Sequence, residues 1–425
     1  MTDSTGSPTL LPLTAAQQGI WSAQKLGQTS SYYLVREVHE LGPVDTGLLA
    51  RAVALTVDES ETLRLRFVDG ADGAEEAADG PRQYVDHTPA ELPEIRDISG
   101  APDPKLLATA IIDAEKVECG SAWCGIATDA STPLHRFLIL DLGDVVWCIQ
   151  LYHHIIVDGY SAALLTRRTA AHYTELAGGR KARRAKFATM AEIVASDLEY
   201  RDSDAYGEDR DFWRDHLTPT PDTTGREDLV HGAGTPSITT SLRLDREEMA
   251  ELRTRAESHG LVWSDMVLGA YGAWLRKLGV TGESPASEDG APSAEALIAM
   301  PMMARTTGPL RRTPAMQVNM VPVRFPLDSE ATVPEIADTA HAALEQVRSH
   351  QRYPGSDLVR DLSRDPEVGL NGPAVLHGIG VNLKTFDFSL DFHGTSGVLR
   401  NIAGGPPEDL VLVVTPTTGG AGEAI

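Results

Sequence analysis

A mixed α/β fold divided into more than one domain is what this sequence predicts, and three observations carry it. The chain has 425 residues, beyond the length at which single hydrophobic cores stop growing and chains split. Stretches alternating apolar and polar residues, such as "YLVREVHEL", interleave with stretches of helical spacing. The second half then repeats, in kind, the strand and helix order of the first.

Taken in order, "PLTAAQQGIWSAQKL" puts Leu13, Ala16, Ile20 and Ala23 at near-helical spacing after Pro12, with Thr14 as the cap. "YLVREVHEL" reads as a strand, and "DTGLLARAVALTVDESETLRLRF" as a helix followed by a strand that ends on Arg64, Arg66 and Phe67. "HRFLILDLGDVVWCIQLYHH" is two apolar runs about Gly143-Asp144, a hairpin whose second strand delivers two histidines. A helix through about Leu176 follows, then "AGGRKARRAKFA", whose glycines and cations mark a surface linker. The first domain is expected over 1–177 and the second over 178–425. In the second, "MAEIVASDLEYRDSDAYGEDRDFWRDHL" is a charged helical stretch packed down by Phe212 and Trp213. "TPSITTSLRL", "EEMAELRTRAESHGL", "WSDMVLGAYGAWLRKLG" and "ALIAMPMMAR" read as strand, helix, helix and strand, and "TGESPASEDGAPSAE" as a surface insertion.

Composition excludes several classes. Lys+Arg is 37 against Asp+Glu 61, a net charge of −24, which disfavours binding to a phosphate backbone. Cys119, Cys124 and Cys148 lack metal-ligand spacing, and Cys148 sits in an apolar strand, pointing to a reducing, cytoplasmic setting. No segment supplies the roughly 18 apolar residues of a membrane span.

The chemistry gathers at "HHIIVDG", His153 to Gly159, where a strand stops and a helix starts. For any one residue the bland reading is the stronger: a satisfied core histidine, or Asp158 as a helix cap. Adjacent strand residues face opposite ways, so His153 and His154 cannot share a job; one is expected in the interior and the other in a cleft. A histidine there suits proton transfer near neutral pH, or hydrogen bonding to a nucleophile. Gly159 leaves room for a ligand. There is no phosphate-binding Gly-Lys-Ser loop and no Gly-x-Ser-x-Gly elbow. What remains fits acyl transfer to an acceptor that brings its own nucleophile.

"HHIIVDG" resembles the HHxxxDG signature of condensation domains in nonribosomal peptide synthetases, of the chloramphenicol-acetyltransferase-like superfamily. "LPLTAAQQGIWSAQKL", "ETLRLRF", "RDFWRDHL", "MQVNMVPVRF" and "RSHQRYPGSDLVRDL" are similar, in order, to further family motifs, so the likeness spans nearly the whole chain. The wording of "AAQQGIW", "HQRY" and "VNLKTFDFSLDF" is most like first condensation domains of enterobactin-type siderophore synthetases. The resemblance implies two acetyltransferase-like lobes in a V-shaped pseudo-dimer with a central tunnel, the C-terminal lobe carrying a floor loop and latch. It implies a catalytic role for His154 beside the bond being formed, with Gly159 near the thioester. His153 and Asp158 would be structural, Asp158 paired to Arg64. Asn319, Gln317, Met320 and Asn382 would face the tunnel or substrate; Gln317 stands where the family often has Phe, and Met320 where it often has Thr.

The implied reaction is amide formation between a carrier-bound acyl thioester, of 2,3-dihydroxybenzoyl or similar aryl type, and the amine of a carrier-bound aminoacyl thioester. No cofactor is expected on this chain, since partner carriers supply the phosphopantetheine arms; no metal, nucleic acid or membrane is expected. The start at Met1 raises the expectation of a donor aryl or acyl carrier in trans. The ending "VVTPTTGGAGEAI" raises that of a longer synthetase with an acceptor peptidyl carrier and an adenylation domain downstream. The rivals are an epimerisation domain, disfavoured because a Glu-Gly-His-Gly-Arg stretch is missing, and a heterocyclisation domain, which would have aspartates for the histidines. Beyond these stand a coenzyme A-dependent HxxxDG acyltransferase and a recruiting domain that has lost catalysis, against which the intact motif argues.

Overall fold

The computed structural model describes residues 8–25, 33–69, 80–123, 131–181, 183–218, 240–279, 281–284, 293–305, 308–364, 378–384, 390–401, 410–415, 417–418 and 423–424. The elements run β1 Leu11–Pro12, α1 Ala15–Lys25, β2 Leu34–Leu41, α2 Thr46–Glu59, a 3-10 turn Glu61–Arg64, β3 Leu65–Val68, β4 Arg82–Val85, β5 Glu94–Asp97 and α3 Pro104–Ala122. There follow β6 His135–Asp141, β7 Val146–His153, α4 Gly159–Ala177, α5 Met190–Arg201, α6 Asp204–Leu217, α7 Arg246–Ser258, α8 Trp263–Leu278, β8 Gly282–Ser284 and β9 Ser293–Met302. The remainder is α9 Gly308–Arg311, β10 Asn319–Leu327, α10 Val333–Arg348, α11 Gly355–Arg364, β11 Ile379–Leu383, β12 Leu390–Phe392, β13 Thr395–Asn401, β14 Leu410–Val414, β15 Thr417–Thr418 and β16 Glu423–Ala424.

The chain forms two compact units. Unit 1 takes Met1–Glu199, Arg305–Gln317 and Phe388–Gly405; unit 2 takes Tyr200–Ala304, Val318–Asp387 and Pro406–Ile425. This differs from the expected division at 177. The basic segment after α4 stays with unit 1 because Glu175 and Glu59 accept its backbone N–H groups at Arg183 and Ala185. Two later segments also return to unit 1, and a reading that runs along the chain has no means of seeing such returns.

Unit 1 is built on a six-stranded sheet of order β12-β13-β2-β7-β6-β5. Every residue of β7 is buried, as expected of a central strand covered on both faces. Its polar members are satisfied internally: Gln150 Oε1 accepts from Tyr152 Oη at 2.6 Å and from Thr166 Oγ1 at 3.1 Å. The β6–β7 hairpin turns at Gly143, whose φ of +96° is a left-handed conformation that glycine adopts without strain. Thr14 caps α1, its hydroxyl accepting from Gln17 N at 3.4 Å while Gln17 Oε1 accepts from Thr14 N at 3.0 Å.

Unit 2 centres on β10-β9-β11-β14, with β8 added to β9. The charged stretch at 190–217 is two helices, α5, which lies largely in unit 1, and α6 in unit 2; fully buried Trp213 anchors α6 and donates Nε1–H to His350 O at 3.0 Å. Two expectations need correction. Within "TPSITTSLRL" residues 240–244 form no strand, and 235–239 lie outside the described residues. Within "TGESPASEDGAPSAE" residues 282–284 are β8, paired antiparallel to β9, because edge pairing overrode a turn-like composition; 285–292 lie outside the described residues.

Helices α8 and α10 approach so closely that a Cβ at Gly269 would stand 2.7 Å from Ala337 N, Cα and Cβ. The obstruction is helix backbone and cannot yield, so Gly269→Ala should cost about 1–3 kcal/mol through overpacking. A shift in the urea midpoint at unchanged m-value measures this, and a midpoint equal to the parent's would contradict it.

Candidate active site

Strand β7 hands His153 and His154 to a four-residue turn that runs into α4. His154 N–H donates to Tyr33 O at 2.6 Å, and Ile156 N–H to His153 O at 3.1 Å, which closes the turn. Side chains from elsewhere in unit 1 hold its carbonyls. Thr62 Oγ1 donates to Ile156 O, and Gln17 Nε2 lies 3.4 Å from Ile155 O. Gln17 in turn exchanges two 2.8 Å hydrogen bonds with Gln83. Both glutamines are buried, so this pairing satisfies amides that would be costly in an apolar setting if left alone.

The structure separates the two histidines. His153 is fully buried between Tyr33 and Trp123, with ring centroids 6.1 Å away in each case. Its Nδ1 accepts from Ile155 N–H at 3.1 Å, so in the neutral ring the proton sits on Nε2. That nitrogen is 3.0 Å from the Gln24 side-chain amide, whose Oε1 otherwise has no partner. Exchanging the amide's oxygen and nitrogen gives Nε2–H its acceptor and removes the unpaired oxygen. Burial, then the neighbouring His154, lowers the His153 pKa to about 3. His153 is therefore a neutral structural ring. His154, one residue on, is only half-buried.

An unfolded histidine takes up a proton below about pH 6.5, whereas His153 in the fold resists until about 3. Stability from this site is complete above 6.5 and declines as pH falls through that window. Thermal melts from pH 7 to 5 should have a shallower slope in His153→Gln than in the parent, and parallel slopes would refute the assignment.

Asp158 is buried and opens α4, accepting from Ser161 N–H at 2.8 Å as its cap. It does more than cap. Arg305 Nη2 lies 2.9 and 2.8 Å from its two oxygens, and Gln317 N–H donates to Oδ2 at 3.0 Å. Arg305, also fully buried, reaches Ser161 Oγ at 2.7 Å and Ala315 O at 3.0 Å and lies over the Tyr160 ring at 5.2 Å. Ser161 Oγ donates to Ala315 O at 2.7 Å and accepts from Ala315 N–H at 2.9 Å. Burial alone would raise the Asp158 pKa, but Arg305 and the hydrogen bonds from Ser161 and Gln317 hold it below the usual carboxylate range. Arg305, Ala315 and Gln317 are thereby fixed to the start of α4.

Arg64, the expected partner of Asp158, is elsewhere. It ends the 3-10 turn, with Nη1 3.4 Å from Asp86 O and 3.5 Å from His87 Nδ1. The sequence motif put an arginine near the site but could not show that a segment almost 150 residues downstream brings a better-placed one. Arg305 itself was missed, its only signal being an arginine at the end of the apolar run "ALIAMPMMAR".

Gly159 is the first residue of α4, and a Cβ there would meet nothing within 4 Å. The helix N-terminus beside it is an electropositive end. Gln317 joins the site through its backbone, while its shielded Nε2 has no partner among the described residues. Asn319, Met320 and Asn382 belong to unit 2, on β10 and β11. Asn319 is not available to substrate: Nδ2 donates to Gln351 O at 2.9 Å and Tyr353 O at 2.6 Å, and Oδ1 accepts from Gly355 N–H at 2.9 Å. It clamps the turn into α11. Met320 and Asn382 are half-buried. Among the described residues no cluster of His, Cys, Asp and Glu could hold a metal ion, and no helix is long and apolar enough to cross a membrane.

The model of the condensation-domain family matches residues 8–374. The chain is 29% identical over 415 residues to a dimodular nonribosomal peptide synthase of Bacillus subtilis, covering 96% of this chain and 16% of that protein. It is 32% identical over 419 residues to enterobactin synthase component F of Escherichia coli K12, covering 96% of this chain and 30% of that protein. It therefore spans less than a third of either relative. Among solved structures, the first condensation domain of the calcium-dependent antibiotic synthetase in complex with a substrate analogue superposes with a TM-score of 0.77 at 28% identity, over 96% of this chain and 88% of that one. With a family match across most of its length, the two-lobed chloramphenicol-acetyltransferase-like fold and the intact "HHIIVDG" turn, this chain belongs to the condensation domains of the nonribosomal peptide synthetases, which form amide bonds between thioester-bound substrates.

Proposed function

We propose that the chain joins a carrier-bound acyl thioester, of the 2,3-dihydroxybenzoyl or a related aryl class, to the amine of a carrier-bound amino acid, within siderophore biosynthesis. The single observation that carries the reaction is the separation of the two histidines, His154 being half-buried just past the end of β7 while His153 is sealed inside. The aryl donor rests on the 32% identity to enterobactin synthase component F. Phosphopantetheine arms come with the carriers, the donor carrier as a separate protein, and an adenylation domain downstream loads the acceptor.

The acceptor amine attacks the donor carbonyl carbon, the new C–N bond forms, and the C–S bond breaks to release the donor arm's thiol. His154 accepts a hydrogen bond from the attacking amine and orients it; as charge develops, the imidazole stabilises the ammonium whose proton passes to the leaving sulfur. His153, with its tautomer set by Ile155 N–H, and Asp158, held by Arg305, keep the turn that bears His154 in a single geometry. Such support from surrounding residues is what keeps a reacting group aligned.

Intact mass spectrometry of an aminoacyl-loaded acceptor carrier, mixed with the domain and an aryl-loaded donor carrier, tests the reading. The acceptor should gain one acyl group. Turnover of an acyl-coenzyme A with a free acceptor, and none between carriers, would transfer the chain to the coenzyme A-dependent acyltransferases.

A further inference from the structure

Two cationic runs far apart in sequence are brought together in unit 1. The first is Arg180, Lys181, Arg183, Arg184 and Lys186; the second is Arg311 and Arg312, and all seven side chains are exposed. They are joined where Ala188 N–H donates to Thr313 Oγ1 at 2.8 Å, with Lys186 and Arg312 each within two residues of that bond.

The first run is exposed but not loose. Arg183 N–H donates to Glu175 Oε2 at 2.7 Å, Ala185 N–H to Glu59 Oε1, and Met190 N–H to Glu61 Oε2 at 2.6 Å. Glu59 is answered by Arg168 at 2.7 Å and by His172 at 2.7 Å. Among the described residues no carboxylate forms an ion pair with any of these seven cations. Arg311 also tethers the patch to the site, its Nε donating at 3.3 Å to the carbonyl of Arg305, which holds Asp158.

We propose that this patch docks an acidic protein surface, and, resting on the function proposed above, that the surface is that of a carrier domain delivering its thioester. Charge complementarity carries the choice. The whole protein is at −24, so the patch is a local inversion, and local fields reach only about 8 Å at physiological salt. A compact acidic domain touches the patch alone and gains both on-rate and orientation from it. A long polyanion such as nucleic acid also meets the acidic remainder and is repelled.

The test measures binding of each holo-carrier to the full chain by fluorescence anisotropy, at low and high salt, for the parent, Arg183→Glu/Arg184→Glu and Lys186→Glu/Arg312→Glu. Turnover of N-acetylcysteamine thioesters, which need no carrier, is followed in parallel. Both variants should weaken at least one carrier by about tenfold and flatten its salt dependence, with thioester turnover unchanged. Carrier affinity within about twofold of the parent for both variants would overturn the dock. So would parallel loss of thioester turnover, which would mean that the residues serve the fold. A duplex oligonucleotide that binds the parent and not the variants, with carriers unaffected, would reassign the patch to nucleic acid. Should the parent bind a carrier through the patch yet form no amide from any thioester, the docking inference stands and the function fails.

Discussion

Replacing His154 with alanine is expected to lower amide formation by about 10²- to 10⁴-fold, the range for loss of a positioned proton-transfer or hydrogen-bonding group. The fold should survive, because the backbone N–H of His154 donates to Tyr33 O at 2.6 Å and the turn is closed by Ile156 N–H to His153 O, and alanine keeps both. The informative comparison is His153→Ala, which empties a ring buried between Tyr33 and Trp123 and so should lower the melting temperature as well. Intact mass spectrometry of the acceptor carrier, paired with thermal melts, separates the two. If His154→Ala turns over at parental rate, the imidazole has no part in the reaction. If its rate loss comes with an equal loss of stability, the residue is structural and the proposed role is wrong.

Arg305→Met should destabilise the protein by about 3–5 kcal/mol, the cost of stranding a buried carboxylate whose partner has been removed. Both members of the pair are buried and 2.8 Å apart, so solvent offers Asp158 no substitute. The same buried pair replaced as a whole behaves differently: Asp158→Asn with Arg305→Met removes both charges and should recover much of the loss. Arg64→Ala, by contrast, should cost less than about half as much, because half-buried Arg64 makes only long contacts, to Asp86 O at 3.4 Å and His87 Nδ1 at 3.5 Å, and leaves no buried carboxylate stranded. Urea midpoints for the parent, Asp158→Asn, Arg305→Met and the double variant give the double-mutant cycle, with Arg64→Ala measured beside them. Additive losses, or an Arg64→Ala effect as large as that of Arg305→Met, would show that the ion pair described here does not hold the turn.

Much of this protein was legible because it is local. The hairpin at Gly143-Asp144, the strand ending in two histidines, and the helix opening at Asp158 depend on residue patterns a few positions long, and the structure has β6, β7 and α4 at those places. His153 and His154 part for a different reason than the pleat, because β7 ends at His153, which stays buried, while half-buried His154 already belongs to the turn. The motif also pointed to the family, whose model matches residues 8–374. What was not legible is long-range. Arg64 was chosen for Asp158 by motif, yet the partner is Arg305, 147 residues away. Asn319 read as substrate-facing, yet its amide is used up on the backbone of 351–355. The division at 177 failed for a related cause, because segments 305–317 and 388–405 return to the first unit.

Local spacing and alternation determined which residues form strands, turns and caps, since those preferences arise from backbone geometry and near neighbours. Only the tertiary structure decided which buried charge answers which. A desolvated carboxylate must find a cation wherever in the chain it lies, and sequence distance places almost no constraint on that choice.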